Sequence, residues 1–125
     1  MNITHSFSGL SADDLAKAKE FYTSALGLTL KDEQMGLTFM LPEGGSSVFI
    51  YQKSDHVPAT YTALNFEVAD IDEAADELSK KGVAFERYDG MHQDEKGIAR
   101  GRAANMGPDI AWFKDPAGNI LSILK

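Results

Sequence analysis

Cysteine is absent from the 125-residue chain. That excludes disulfides, Cys-ligated zinc and a thiol nucleophile. Basic residues are few: 12 Lys and Arg stand against 19 Asp and Glu, a formal net charge of −7. An acidic chain repels phosphate backbones, so no nucleic-acid partner is expected. Apolar runs are only a few residues long, so no membrane span is expected either. Residues 1–10 lack the basic stretch and apolar run of a secretory leader, and the chain reads as cytoplasmic. Phosphate-cradling glycine loops are missing, because Gly44-Gly45 and Gly97 with Gly101 lack the required spacing. A Gly-x-Ser-x-Gly elbow is also missing. No low-complexity stretch marks a linker. What remains is a chain that is 43% hydrophobic, enough for a core. Its length suits one compact domain or two small repeats around a shared core.

The pattern divides into similar halves. Ser11 with Asp14 makes a capping-box-like start, and Leu15, Ala18, Tyr22, Ala25 and Leu26 recur at helical spacing, with Phe21 beside them. Gly27 is placed to end that helix, because glycine enters the left-handed region without a Cβ clash. Asp70 with Glu73 repeats the start, Ile71, Ala74, Ala75 and Leu78 form the stripe, and Gly82 ends it. Asp14 to Asp70 is an offset of 56 and Gly27 to Gly82 one of 55, which points to an internal duplication. Strands are predicted over 3–10, 28–32, 36–41 and 47–52 in the first half. The second half has them over 60–68, 83–88, 109–114 and 120–124. Pro42-Glu43-Gly44-Gly45 and Asp115-Pro116-Ala117-Gly118-Asn119 are predicted turns before each half's last strand. Each half thus reads β-α-β-β-β, an α+β arrangement with mainly antiparallel pairing.

Three stretches carry a resemblance to a known family. They are Ala12-Asp13-Asp14-Leu15 with Phe21-Tyr22 and Leu26-Gly27-Leu28, then Phe66-Glu67-Val68-Ala69-Asp70-Ile71-Asp72, then Trp112-Phe113-Lys114-Asp115-Pro116-Ala117-Gly118-Asn119. With this spacing the chain resembles the vicinal oxygen chelate superfamily, the glyoxalase, bleomycin-resistance and extradiol-dioxygenase group, over nearly its whole length. The resemblance implies a single domain, 1–125, built of modules 1–56 and 57–125. It implies two βαβββ modules whose sheets form an open cup around a small-molecule cleft, and a homodimer.

In the family's metal-using members, His and Glu at four cleft-facing strand positions bind a divalent cation. Carried over singly, these positions fall on Phe7, Ala63 and Ser122, with the fourth near Ile50. None is a metal-ligating residue, so no cofactor is expected, while a displaced divalent metal stays open. His5 shares the predicted face of Phe7 and is the candidate for such a site. His56 and Glu67 are expected to be solvated.

The segment Asp89–Arg102 carries His92, Arg100 and Arg102. It is either a flap, with Arg100 or Arg102 pairing an anionic ligand, or a solvated loop. His92 and Glu67 are the acid–base candidates. Counting alternate residues from Ala63 and Ser122 gives Tyr61, Asn65 and Ser122 as ligand contacts. Trp112 is expected to face the cup and Phe113 a helix.

The first functional expectation is a binder of a small organic molecule. The alternative is a lyase, isomerase or dioxygenase using a displaced metal or the His92/Glu67 pair. A third is a scaffold acting through protein contacts.

Overall fold

Two aspartates set where the helices begin. Asp14 and Asp70 have extended backbones (φ −136° and −140°), and each carboxylate accepts the N–H three residues on, from Lys17 at 3.1 Å and Glu73 at 3.0 Å. Such caps satisfy a donor that the helix itself leaves orphaned and contribute about 1 kcal/mol. The structure, a computed structural model, describes residues 1–41 and 46–125. The predicted turn at Pro42-Glu43-Gly44-Gly45 lies outside the described residues.

The chain runs β1 (Ser8–Ala12), α1 (Leu15–Glu20), β2 (Leu30–Glu33), β3 (Gly36–Met40) and β4 (Ser47–Gln52). It continues through β5 (Thr62–Glu67), α2 (Ile71–Lys80), β6 (Ala99–Arg100), β7 (Asp109–Lys114) and β8 (Ile120–Leu124). A π-helical turn, Phe21–Ala25, prolongs α1. Ser11, expected in the first cap, lies in β1 instead, and its hydroxyl bonds His56 Nδ1 at 2.5 Å. Asp14 alone reaches the N–H that needs a partner.

Two compact units result, Met1–Val57 and Pro58–Lys125. The first holds a sheet of order β1-β4-β3-β2 and the second one of order β5-β8-β7-β6. In each, the first strand pairs in parallel with the last, and the other pairings are antiparallel. The topology is therefore repeated, as the helix offsets suggest.

Residues 83–88 do not form the expected strand. They meet β7 at one bridge, Phe85 to Phe113, and Glu86 N–H donates to the Trp112 carbonyl at 2.8 Å. Beyond that the Gln93 side chain replaces a ladder. It accepts from Tyr88 N–H at 2.8 Å and donates to the Glu86 carbonyl at 2.7 Å. Backbone groups satisfied this way have no call for a neighbouring strand, and β6 takes the place beside β7. The first strand likewise starts at Ser8, and residues 1–7 are exposed and outside it.

The core of the first unit gathers Ala18, Tyr22, Leu37, Phe39, Val48 and Ile50, with Tyr22 stacked on Phe39 at 5.5 Å. In the second unit α2 packs on β7 and β8. Ile71, Ala75 and Leu78 of the helix are buried, as are Ala111, Phe113, Leu121 and Ile123 of the strands. Gly82 (φ +88°) ends α2, and the Gly82 and Val83 N–H groups close onto the Ser79 and Leu78 carbonyls at 3.1 and 3.0 Å. This pairing needs the left-handed backbone that glycine adopts freely.

The turn between β7 and β8 sets the register on which the site depends. Buried Asp115 accepts from the N–H groups of Ala117 and Asn119 and from Asn119 Nδ2, each at 2.9 Å. From this anchor Phe113 pairs with Leu121 and Trp112 with Ser122.

Candidate functional site

Side chains along a strand alternate between its faces, so packing Phe113, Leu121 and Ile123 toward α2 turns their neighbours the other way. On that other face the registers align Asn65 of β5, Ser122 of β8 and Trp112 of β7 in one row. Ser122 is fully buried, and its hydroxyl donates to Asn65 Oδ1 at 2.6 Å. Trp112 is half-buried, and Tyr88 meets it edge-to-face at 5.4 Å. Burial and the Glu86 carboxylate push the Tyr88 phenol above its ordinary value, so it stays a neutral O–H. Tyr88 was not legible as a site residue, because the bridge that delivers it depends on Gln93. The next row is Glu67, Leu124 and Ile110. Glu67 and Leu124 border an open cleft of about 580 Å³, with Arg102, Gly107 and Pro108 among its other walls.

Three of the five expected ligand contacts thus share a row: Asn65, Ser122 and Trp112. Tyr61 does not join them. The β5–β8 register slips between Thr62 and Leu64, so the simple alternation counted through Ala63 fails. Tyr61 lies before β5 and is 71% exposed.

Arg100 is engaged within the fold rather than presented to a ligand. Its guanidinium donates to both oxygens of Asp72, at 3.0 and 2.7 Å, and its Nε donates to Asp94 at 3.0 Å. Lys96 lies 3.3 Å from Asp72 and 3.1 Å from Asp76. Arg87 donates to the Asp94 and Glu95 carbonyls at 2.5 and 2.9 Å, and Ile98 is fully buried. The 89–102 segment is therefore tied to the first turns of α2.

The Arg100 hydrogen bonds, reinforced by Lys96 against the opposing effect of desolvation, hold the Asp72 carboxyl at about 2. At Asp94, desolvation pushes the carboxyl up, but the Ile98 N–H, Arg100 and the Lys96 N–H outweigh it, and the net shift is downward. A carboxyl depressed on folding stabilises above its unfolded value, near 3.8 for Asp72, and that contribution is lost as pH falls toward about 2. The Arg100 Nε–H resonance is accordingly expected to stay protected from neutral pH down to the ordinary carboxyl range and to lose protection below it. Asp72→Asn should weaken that protection already at neutral pH. An Arg100 signal indifferent to both changes would remove the clasp.

The histidines are scattered. His5 is exposed and stacks on Phe7 at 6.2 Å. His56 is half-buried against Ser11, not solvated as expected. His92 is exposed in a left-handed turn (φ +47°), and no hydrogen bond or ion pair joins it to Glu67. The proposed acid–base pair is therefore not assembled.

The positions carried over from the family's metal-using members hold Phe7, Ala63, Ser122 and Ile50. Phe7 is exposed, Ala63 sits at the register slip and Ser122 bonds Asn65. Ile50 is fully buried on the core side of β4. The strand residues that line a hollow of about 290 Å³ together with Phe7 are Glu33, Thr38, Ser47 and Phe49. Among the described residues no group of three or more His, Asp or Glu is placed to hold a metal ion. The donors at these positions do not fit the His/Glu coordination of the metal-using members.

No curated protein matches the chain by sequence. An antibiotic-binding protein from Streptomyces sp. CB03234 superposes with a TM-score of 0.67 at 24% identity, covering 99% of this chain and 97% of that one. The fosfomycin resistance protein FosX from Listeria monocytogenes gives 0.70 at 16% identity, covering 99% and 91%. A lactoylglutathione lyase from Agrobacterium tumefaciens gives 0.66 at 20%, covering 97% and 92%. No helix among the described residues is long and apolar enough to cross a membrane. With a family model matching residues 3–123, and with two mixed four-stranded sheets of repeated topology, the chain belongs to the Glyoxalase/Bleomycin resistance protein/Dioxygenase superfamily.

Proposed function

We propose that this protein binds a small organic molecule with a planar, aromatic part on the exposed face of its second sheet, without the family's usual metal centre. One observation carries the reading. On that face a fully buried serine, Ser122, is bonded to Asn65 and paired with Trp112, so a fixed polar group stands beside an aromatic wall. Aromatic walls beside a few fixed polar groups are the usual make-up of a small-molecule site. An antibiotic-binding protein among its structural neighbours supports the binding reading, and a lactoylglutathione lyase among them is the reason the enzymatic alternative is tested below. The net charge of −7 favours neutral or cationic ligands over anions. The same reading takes the protein as a cytoplasmic homodimer, and a monomer mass by light scattering would remove the dimer.

Trp112 is the chain's single tryptophan, so its fluorescence reports on this face alone. A panel of planar neutral and cationic compounds is expected to include some that quench it and raise Tm. For those, Trp112→Leu should weaken binding, measured calorimetrically, about ten-fold or more, the size of a well-packed aromatic contact. Compounds that raise Tm equally in Trp112→Leu would place the ligand elsewhere. Elemental analysis after incubation with Zn, Ni, Mn and Fe(II) tests the metal. About one ion per chain, lost on His5→Ala or His92→Ala, would favour the enzymatic alternative.

A further inference from the structure

The hydrogen bond between Ser122 and Asn65 has a direction, and the direction carries information. A buried hydroxyl has one hydrogen to place, and leaving it unpaired is costly. Among the described residues the acceptor it reaches is Asn65 Oδ1, at 2.6 Å. The amide is thereby turned. Its oxygen is directed to Ser122, and its Nδ2, with two N–H donors, has no partner among the described residues. Asn65 is exposed, so those donors meet whatever lies on the face. The indole N–H of Trp112, in the same row, also has no hydrogen-bond partner among the described residues. The row therefore offers donors at both ends. Its ends are two strand spacings apart, about 9–10 Å, which is the span of a fused two- or three-ring molecule. Glu67, exposed and in the next row, opposes an anion there.

Resting on the binding reading above, we infer that Ser122 is a positioning residue. It locks the Asn65 amide with its N–H donors outward, so that the site selects planar molecules bearing a neutral carbonyl-type acceptor. Asn65 is the residue that determines this specificity, and Ser122 acts through it.

The test compares two probes of similar size, chromone, whose carbonyl is an acceptor, and naphthalene, which has none. Quenching of Trp112 gives both affinities. The intact protein should bind chromone about five-fold more tightly than naphthalene, the size of one neutral hydrogen bond. In Asn65→Asp the side chain still accepts from Ser122 but has no donor left, and the ratio should fall to about one where the carbonyl lies at the Asn65 end of the row, away from the Trp112 indole N–H. In Ser122→Ala the amide is free to turn, and the ratio should fall to about two with naphthalene affinity unchanged. A merely structural role for either residue would weaken both probes together. The Asn65 side-chain ¹⁵N–H pair, identified by its loss in Asn65→Asp, should shift with chromone and stay still with naphthalene. Because Asn65 is exposed, that variant folds, and the decision rests on it. Equal binding of the two probes to the intact protein, or a preference that survives Asn65→Asp, would overturn the inference and leave the binding reading standing. Failure of every planar compound to quench Trp112 would overturn both.

Discussion

Phe113→Ala is expected to lower the unfolding free energy by about 3–5 kcal/mol. The side chain is fully buried in β7, opposite Leu121, and the Phe85 ring meets it edge-on at 6.0 Å. α2 packs on the same strand. Removing the ring leaves a cavity that a rigid sheet closes only in part, and it takes away the ring against which Phe85 packs, while the backbone bridge between them can persist. Domains of this size have about 5–15 kcal/mol in total, so the loss is a large fraction of it. Urea unfolding followed by circular dichroism gives the number. Phe113→Leu keeps most of the volume and should lose much less. Trp112→Ala, one residue away on the opposite face, should also cost less than Phe113→Ala, since Trp112 is only half-buried. The reverse ranking would mean that β7 sits one residue out of register, with Trp112 in the core.

The hairpin was legible in the sequence, and the reason is local: a turn whose Asp and Asn bond each other joins Asp109–Lys114 to Ile120–Leu124. Which of Trp112 and Phe113 faces α2 turned on one residue of register, because neither strand alternates cleanly between apolar and polar residues, and the full burial of Phe113 agrees with the facing expected. The helix starts were legible for a similar reason, since a capping aspartate and the N–H it accepts lie three residues apart. Residues 83–88 misled because their competitor is not local. Val83, Phe85 and their neighbours look like any half-buried strand, and nothing in their pattern shows that Gln93 will take the hydrogen bonds of Glu86 and Tyr88. The π-helical turn at Phe21–Ala25 has no pattern of its own either. It follows the same apolar spacing as the helix it prolongs.

The candidate row was legible in part. Counting by two from Ala63 reaches Asn65, and the pairing of β5, β8 and β7 sets Ser122 and Trp112 beside it. Past Ala63 the count fails, since one register slip sends Tyr61 out of the row. Arg100 looked available because its partner Asp72 lies 28 residues earlier, on a different element. Pairing across such a distance is a property of the fold and leaves no mark in the loop's own composition. Ile50, the nearest match for the fourth position, is fully buried in β4, while its neighbour Phe49 lines a hollow with Phe7.

Ser122→Glu is expected to destabilise the protein by about 3–5 kcal/mol at neutral pH, because it places an unpaired carboxylate in a fully buried position. The larger side chain also crowds the row, so Ser122→Gln is the control, similar in shape and without charge. Burial raises a carboxyl's folded value above its unfolded one. The penalty of Ser122→Glu relative to Ser122→Gln should therefore be absent below the unfolded value and grow as pH rises through the folded one. Urea unfolding of both variants across that range measures the difference. A pH-independent difference would show that the carboxylate escapes to solvent and that Ser122 is less enclosed than the structure has it. Repeating the titration with Zn or Mn asks a second question of the same position. Stability of Ser122→Glu restored by either ion would mean that this face still supplies further metal donors. No restoration would mean that changing Ser122 alone does not create a metal site on this face, where Ala63 brings no donor side chain. The serine would then belong to a face whose polarity is set by hydrogen bonds to Asn65 rather than by a bound cation.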